Sequence, residues 1–93
     1  MYTARMQVQT PKASRYLKAL CNHFNRKVTA SYDEQHGSVQ FGFANCEMDA
    51  TEDALSIHVQ ADDEENFARV KSVVVSHLEK FTGDEPVEMI WVE

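Results

Sequence analysis

The first third of the chain contains no Asp or Glu. Residues 1–32 carry six basic residues, whereas all 15 acidic residues lie between positions 33 and 93, together with three basic ones. Such a separation of charge bears on the partners of a protein more than on its fold. The net charge of −6 disfavours nucleic acid as a partner, because binding to phosphates needs a basic surface.

Cysteine, proline and glycine are also scarce, with two, two and three residues respectively. Cys21 and Cys46 form no C-x-x-C pair and no disulfide framework, as expected where thiols stay reduced. The three isolated glycines exclude a glycine-rich phosphate loop. No apolar run approaches the roughly 20 residues of a membrane span, and the N-terminus lacks the apolar stretch of a signal peptide. We therefore expect a cytoplasmic protein that does not enter a membrane.

The composition is otherwise that of an ordinary folded protein. A hydrophobic content of 43% supports a buried core, and 93 residues suit one domain that spans positions 1–93.

Two segments show the period of an amphipathic helix. Residues 11–26 repeat apolar side chains every three or four positions, and Thr10 followed by Pro11 has the pattern of an N-cap and a first helical position. Residues 62–82 show the same period, begin with four carboxylates and end before Gly83, which matches the polarity of a helix dipole.

Six shorter segments alternate apolar and polar residues, as half-buried strands do. They lie within residues 2–8, 28–32, 39–43, 46–48, 55–59 and 87–91, the last of them after Pro86. The order is β-α-β-β-β-β-α-β. It predicts an α+β two-layer sandwich, with a mainly antiparallel sheet and both helices on one face, related to ferredoxin-like folds.

The residues that could bind a metal or act as nucleophiles are poorly spaced for either task. Cys21 and His23 are two positions apart on a helix and point to different sides of it. His36 lies in a predicted turn, and His58 lies on the polar side of its strand. Cys21 and Cys46 fall on or beside apolar stripes, where a cysteine is usually a small buried hydrophobe. We expect no metal site, no cofactor and no catalytic residue, so an enzyme is the less favoured class.

A basic stripe on the first helix is the first candidate binding site. Lys12, Arg15, Lys18 and Arg26 fall on the solvent side of this helix, away from its apolar face. The stripe predicts contact with an acidic protein partner or an anionic small ligand. The alternative is that the stripe is merely solvated, or that acidic residues from elsewhere in the chain cover it.

The second candidate site is a groove near Tyr16, His23 and His77. Each histidine lies at the border of the apolar face of its helix, and Tyr16 precedes His23 by two helical turns on the same side. Helices packed side by side would bring the three residues to a shared groove for a small ligand or a metal. The alternative is that each histidine only bonds a backbone carbonyl or interacts with the helix dipole.

The two helices also share a spacing. At an offset of 54 residues, Arg15 corresponds to Arg69 and His23 to His77. Two polar matches between amphipathic helices do not establish a duplication.

A family resemblance follows from these motifs. The run T-P-x-A-S-R-Y-L-x-x-L-C-x-H-F-x-x-K over residues 10–27, with H-L-x-x-F at 77–81 and Trp91, resembles the bacterial family called domain of unknown function 2218. Its members look like small stand-alone proteins. Related segments occur at the ends of siderophore-interacting flavin reductases, which implies a link to iron or siderophore handling. The resemblance assigns no functional residues, and Asn25-Arg26 stands where a second histidine would be expected, which further disfavours a histidine-rich metal site.

The sequence therefore predicts a small accessory or docking protein that uses its basic first helix and is a monomer or a weak homodimer. The alternative is a small-ligand or metal-binding protein that uses the histidine groove.

Overall fold

Alternating apolar residues assemble into one antiparallel sheet in the computed structural model, which describes residues 1–83, 85 and 87–93. The elements are β1 (Tyr2–Gln9), α1 (Ala13–Phe24), β2 (Thr29–Tyr32), β3 (His36–Gln40), β4 (Asn45–Ala50), β5 (Ala54–Ala61) and α2 (Glu64–Thr82). The strand order is β1-β5-β4-β3-β2. Because every neighbouring pair is antiparallel, β1 and β2 run in the same direction at opposite edges, with α1 between them in sequence. This is a split βαβ arrangement widened by a hairpin, which explains its relation to ferredoxin-like folds.

Both helices cover the same face of the sheet, as predicted. The core lies between the two layers and includes Leu17 and Leu20 of α1, Val74 of α2, and Met48 and Ile57 of the sheet, all 0% exposed. The outer face of the sheet is polar, with Arg5, Gln7, Glu47, Ser56 and His58 among its residues. The predicted α+β sandwich is therefore confirmed. Within the described ranges, no helix is both long and apolar enough to cross a membrane.

The helix ends differ from the predicted ones by up to two residues. Helix α1 begins at Ala13 and not at Pro11, and Thr10 accepts a hydrogen bond from the backbone N–H of Lys12 at 3.1 Å without acting as the N-cap. Helix α2 starts after Asp63, whose carboxylate accepts from the backbone N–H of Asn66 at 2.7 Å. This bond is a regular N-cap.

The connection between β3 and β4 is a tight turn and not a continuation of the strand. Strand β3 ends at Gln40, and the backbone N–H of Phe41 bonds to the carbonyl of Ala44 at 2.9 Å. Gly42 has a φ of 90°, which a residue with a side chain rarely adopts. Phe41 and Phe43 therefore flank the glycine of a turn, although their alternation predicts strand positions.

The predicted closing strand at residues 87–91 is reduced to one bridge. Val92 and Arg5 exchange backbone hydrogen bonds of 2.8 and 2.7 Å, and no longer ladder forms in the described part of this segment. Val87, Met89 and Trp91 instead pack half-buried against the core, so their alternation reflects burial without strand pairing. Pro86 lies outside the described residues.

Candidate functional site

The packing of α1 beside α2 brings His23 and His77 together. Their ring centroids are 4.8 Å apart, with an angle of 48° between the ring planes. His77 Nδ1 lies 2.7 Å from the carbonyl oxygen of Val73. A carbonyl oxygen can only accept, so Nδ1 carries a proton and Nε2 of the neutral ring holds the lone pair. His77 thus bonds a backbone carbonyl, as one of the two sequence-based alternatives predicts, and its Nε2 makes no hydrogen bond to a described residue.

Tyr16 lies elsewhere, because seven helical residues correspond to a rise of about 10 Å. Its side chain is buried, and its hydroxyl donates to Oε2 of Glu85. Thr10 donates to Oε1 of the same carboxylate at 2.6 Å. Burial, followed by the bond to Glu85, raises the pKa of Tyr16, and the bonds from Thr10 and Tyr16 lower the pKa of Glu85. Tyr16 therefore anchors the C-terminal segment and does not join the two histidines.

A row of aromatic rings continues from the histidine pair. The ring of His77 lies 5.0 Å from that of Phe24, Phe24 lies 5.1 Å from Phe41, and Phe41 lies 5.6 Å from Phe43. These rings form the floor of a depression with a volume of about 450 Å³. We call it the aromatic groove.

The rim of the aromatic groove is basic. Arg26 and Lys27, which follow α1, and Arg69 of α2 line it together with the apolar side chains of Val28 and Val73. The guanidinium carbon of Arg69 lies 4.1 Å from the centre of the Phe43 ring, a cation–π distance. None of the ten described residues that line it is acidic, although the chain carries an excess of acidic residues. The groove combines an apolar floor with positive charge at its edge.

Several residues that line the groove, among them Arg69 and Val73, are not among the site residues predicted from the sequence. Arg69, Val73 and His77 are four residues apart on α2, the spacing of neighbours on one helix face, so their common side is visible in the sequence. The glycine between Phe41 and Phe43 indicates a turn. That this turn meets the end of α1 depends on tertiary packing.

The structure divides the predicted basic stripe. Lys12, Arg15, Lys18 and Arg26 are all exposed, and none of them forms an ion pair within the described ranges. Lys12 lies near Glu85, whose pKa it helps to lower. Arg15 and Lys18 stay on the outer side of α1, whereas Arg26 joins the rim of the aromatic groove.

The remaining histidines and the cysteines lie away from this groove. His36 begins β3 on the outer sheet face, where Nδ1 lies 2.9 Å from Oδ1 of Asp49, and this bond raises the pKa of His36. Burial raises the pKa of Cys21 to about 11 and also raises that of Cys46, so both thiols stay protonated at neutral pH. Among the described residues, no group of three or more His, Cys, Asp or Glu side chains could hold a metal ion.

Comparison with known proteins identifies the family. The model of a family of uncharacterised proteins conserved in bacteria, DUF2218, matches residues 5–92. The chain belongs to the DUF2218 family. The chain is also similar to the NMR structure of PA4090 from Pseudomonas aeruginosa, with a TM-score of 0.83 and 30% sequence identity over 99% of this chain and 96% of that chain. No curated protein matches the sequence. These similarities establish family and fold, and they name no ligand.

Proposed function

We propose that this DUF2218 protein binds a small amphipathic anion, a carboxylate with an apolar body, in the aromatic groove. The observation that carries the proposal is an aromatic floor beside a rim whose described residues include cations and no carboxylate, in a chain of net charge −6. A volume of about 450 Å³ falls within the range of about 300–1,000 Å³ typical of small-molecule sites.

Arg69 is the residue best placed to recognise the acid group. Its contact with the Phe43 ring restrains the guanidinium, and a restrained guanidinium can bind both carboxylate oxygens at a low cost in side-chain entropy. The ligand body would contact Phe24, Phe41 and Phe43, whose rings are separated by 5.1 and 5.6 Å. An aromatic ring of the ligand that packs against these rings would stabilise the complex beyond the area that it buries.

The proposal is tested by calorimetric titration with phenylbutyrate and with phenylbutanamide, its neutral counterpart. We expect the carboxylate to bind at least about 10-fold more tightly, because a hydrogen bond to a charged group contributes about 1.5–3 kcal/mol. Arg69→Gln should remove most of this difference. Lys18→Gln, which deletes the same charge from the outer side of α1, should change the affinity less than about 2-fold, since exposed charges are screened within about 8–10 Å.

Equal binding of the carboxylate and the amide would contradict recognition of the acid group. Equal loss of affinity in Arg69→Gln and Lys18→Gln would show that net charge, and not the groove, attracts the ligand.

A second candidate function is docking of an acidic protein to the outer side of α1. The exposure of Lys12, Arg15 and Lys18, together with the lack of ion pairs to them among the described residues, favours this candidate. The double reversal Arg15→Glu with Lys18→Glu should leave the free energy of unfolding within about 1 kcal/mol, because exposed charges contribute little to it. It should abolish association with acidic partners and leave phenylbutyrate binding intact. Unfolding of this variant would instead show that the basic residues are paired structurally.

The link to iron or siderophore handling that the resemblance implies stays a prediction, since neither the fold nor the family bears on it. A ferric siderophore in the same titration would test it.

A further inference from the structure

His23 and His77 both line the aromatic groove. Neutral His77 keeps its lone pair on Nε2, because Nδ1 donates to Val73. His23 lies against His77 on one side and against the Phe24 and Phe81 rings, at 5.9 and 6.1 Å. Each imidazole is half-buried.

Among the described residues, the charged side chains that line the groove around this pair are basic. From the end of α1 come Arg26 and Lys27, and from α2 comes Lys80; after burial and the neighbouring His77, these three cations lower the pKa of His23. Arg69 lies further along the same groove, and the turn between β3 and β4 adds only the uncharged rings of Phe41 and Phe43. These cations therefore oppose a proton on His23.

We infer that the His23–His77 pair takes up a proton when an anion enters the aromatic groove, so that ligand affinity rises as the pH falls. The inference rests on the proposed function. A carboxylate at the rim supplies the negative charge that the described surroundings of the pair lack, and its attraction offsets the repulsion from Arg26, Lys27 and Lys80. Linkage is reciprocal, so an anion that favours the protonated pair must bind more tightly to it.

The sign and size of the effect follow from the same linkage. Ligand affinity should change with pH only between two limits, the pKa of the pair in the free protein and its pKa in the ligand-bound protein. The change is at most about 10-fold for each pH unit between these limits. We expect the dissociation constant to fall by about 3- to 10-fold between about pH 8 and about pH 5.5, the range in which imidazoles titrate.

The test is calorimetric titration across this pH range with phenylpropanesulfonate, which stays ionised throughout. Titrations in two buffers of different ionisation enthalpy count the protons taken up. Wild-type protein should take up a measurable fraction of one proton near pH 6, and His23→Gln and His77→Gln should abolish both uptake and pH dependence. His36→Gln, which alters a histidine on the opposite face of the sheet, should keep both.

NMR titration of the imidazole Cε1–H signals of the wild-type protein tests the inference without any variant. The pKa of His23, which burial and the neighbouring cations lower in the free protein, should rise when the sulfonate is bound. Binding with unchanged histidine titrations and no proton uptake would overturn the inference and leave the proposed function standing. Absence of binding at every pH would instead contradict the proposed function.

Discussion

Replacing Gly37 by Ala should push α1 away from the sheet. A Cβ atom at this position of β3 would lie 2.7 Å from Sγ of Cys21 and 3.2 Å from Cδ2 of Leu17, whereas unstrained carbon contacts are about 3.5–4.0 Å. Overpacking of this kind costs about 1–3 kcal/mol. Alanine also reduces the conformational freedom of the unfolded chain, which stabilises the folded state by about 0.4–1 kcal/mol. This gain applies because the backbone of Gly37 is not in the positive-φ region. We expect a net loss of about 0.5–2 kcal/mol.

The close contact can be isolated by a double-mutant cycle with Cys21→Ala. Truncation of Cys21 removes the nearest atom and leaves the contacts with Leu17 at 3.2 and 3.4 Å. The two substitutions should therefore be less destabilising together than the sum of their separate effects, by about 1 kcal/mol. Urea unfolding under reducing conditions, followed by circular dichroism, measures all four corners of the cycle.

Gly42→Ala provides the matched control. Its Cβ would meet no atom within 4 Å, but its φ of 90° strains any other residue by about 1–2 kcal/mol. This cost should add to that of Cys21→Ala within about 0.5 kcal/mol, because the two positions share no contact. If the cost of Gly37→Ala added to that of Cys21→Ala as closely as the cost of Gly42→Ala does, the proposed contact between β3 and α1 would be refuted.

Further predictions concern the core and the titrating groups. Leu20→Ala should cost about 2–5 kcal/mol in urea unfolding, because the side chain is 0% exposed. Trp91→Ala should cost less than Leu20→Ala, since Trp91 is half-buried; an equal cost would contradict its peripheral position. In a spectrophotometric titration, Tyr16→Phe should remove a step above the ordinary tyrosine value of 10.0, because the pKa of Tyr16 is raised. Because the pKa of His23 is lowered in the folded protein, the unfolded chain binds more protons at pH values just below the ordinary histidine pKa of 6.5. The free energy of unfolding should therefore fall as the pH drops through that value. His23→Gln should flatten the loss measured by thermal melts, and an unchanged profile would contradict the assignment.

The sequence predicts the two layers of this fold correctly, but it predicts the C-terminal segment less well. Alternation along β5 places Leu55, Ile57 and Val59 on one face, and all three are 0% exposed. The same rule at residues 87–91 predicts a strand where half-buried side chains pack without a ladder. Alternation reports which side chains are buried, and strand pairing needs a neighbour that the sequence does not identify.

At the candidate site, too, the sequence predicts features that depend on local periodicity and misses contacts between residues far apart along the chain. The helical period brings His23 and His77 to the borders of their apolar faces, where the structure pairs them. It also places Tyr16 on the side of His23, but two turns of helix separate them, and the hydroxyl bonds Glu85, which is 69 residues away. Contacts between residues so distant along the chain leave no periodic signal.

The most direct test of ligand binding in the aromatic groove is an isotope-filtered NOE experiment on labelled protein with unlabelled phenylbutyrate. Binding there predicts contacts from the ligand ring to the Phe41 and Phe43 rings, and from the carbon beside the carboxylate to the side chain of Arg69. Contacts to residues of the outer sheet face, such as Ser56 and His58, with none to Phe41 or Phe43, would contradict it.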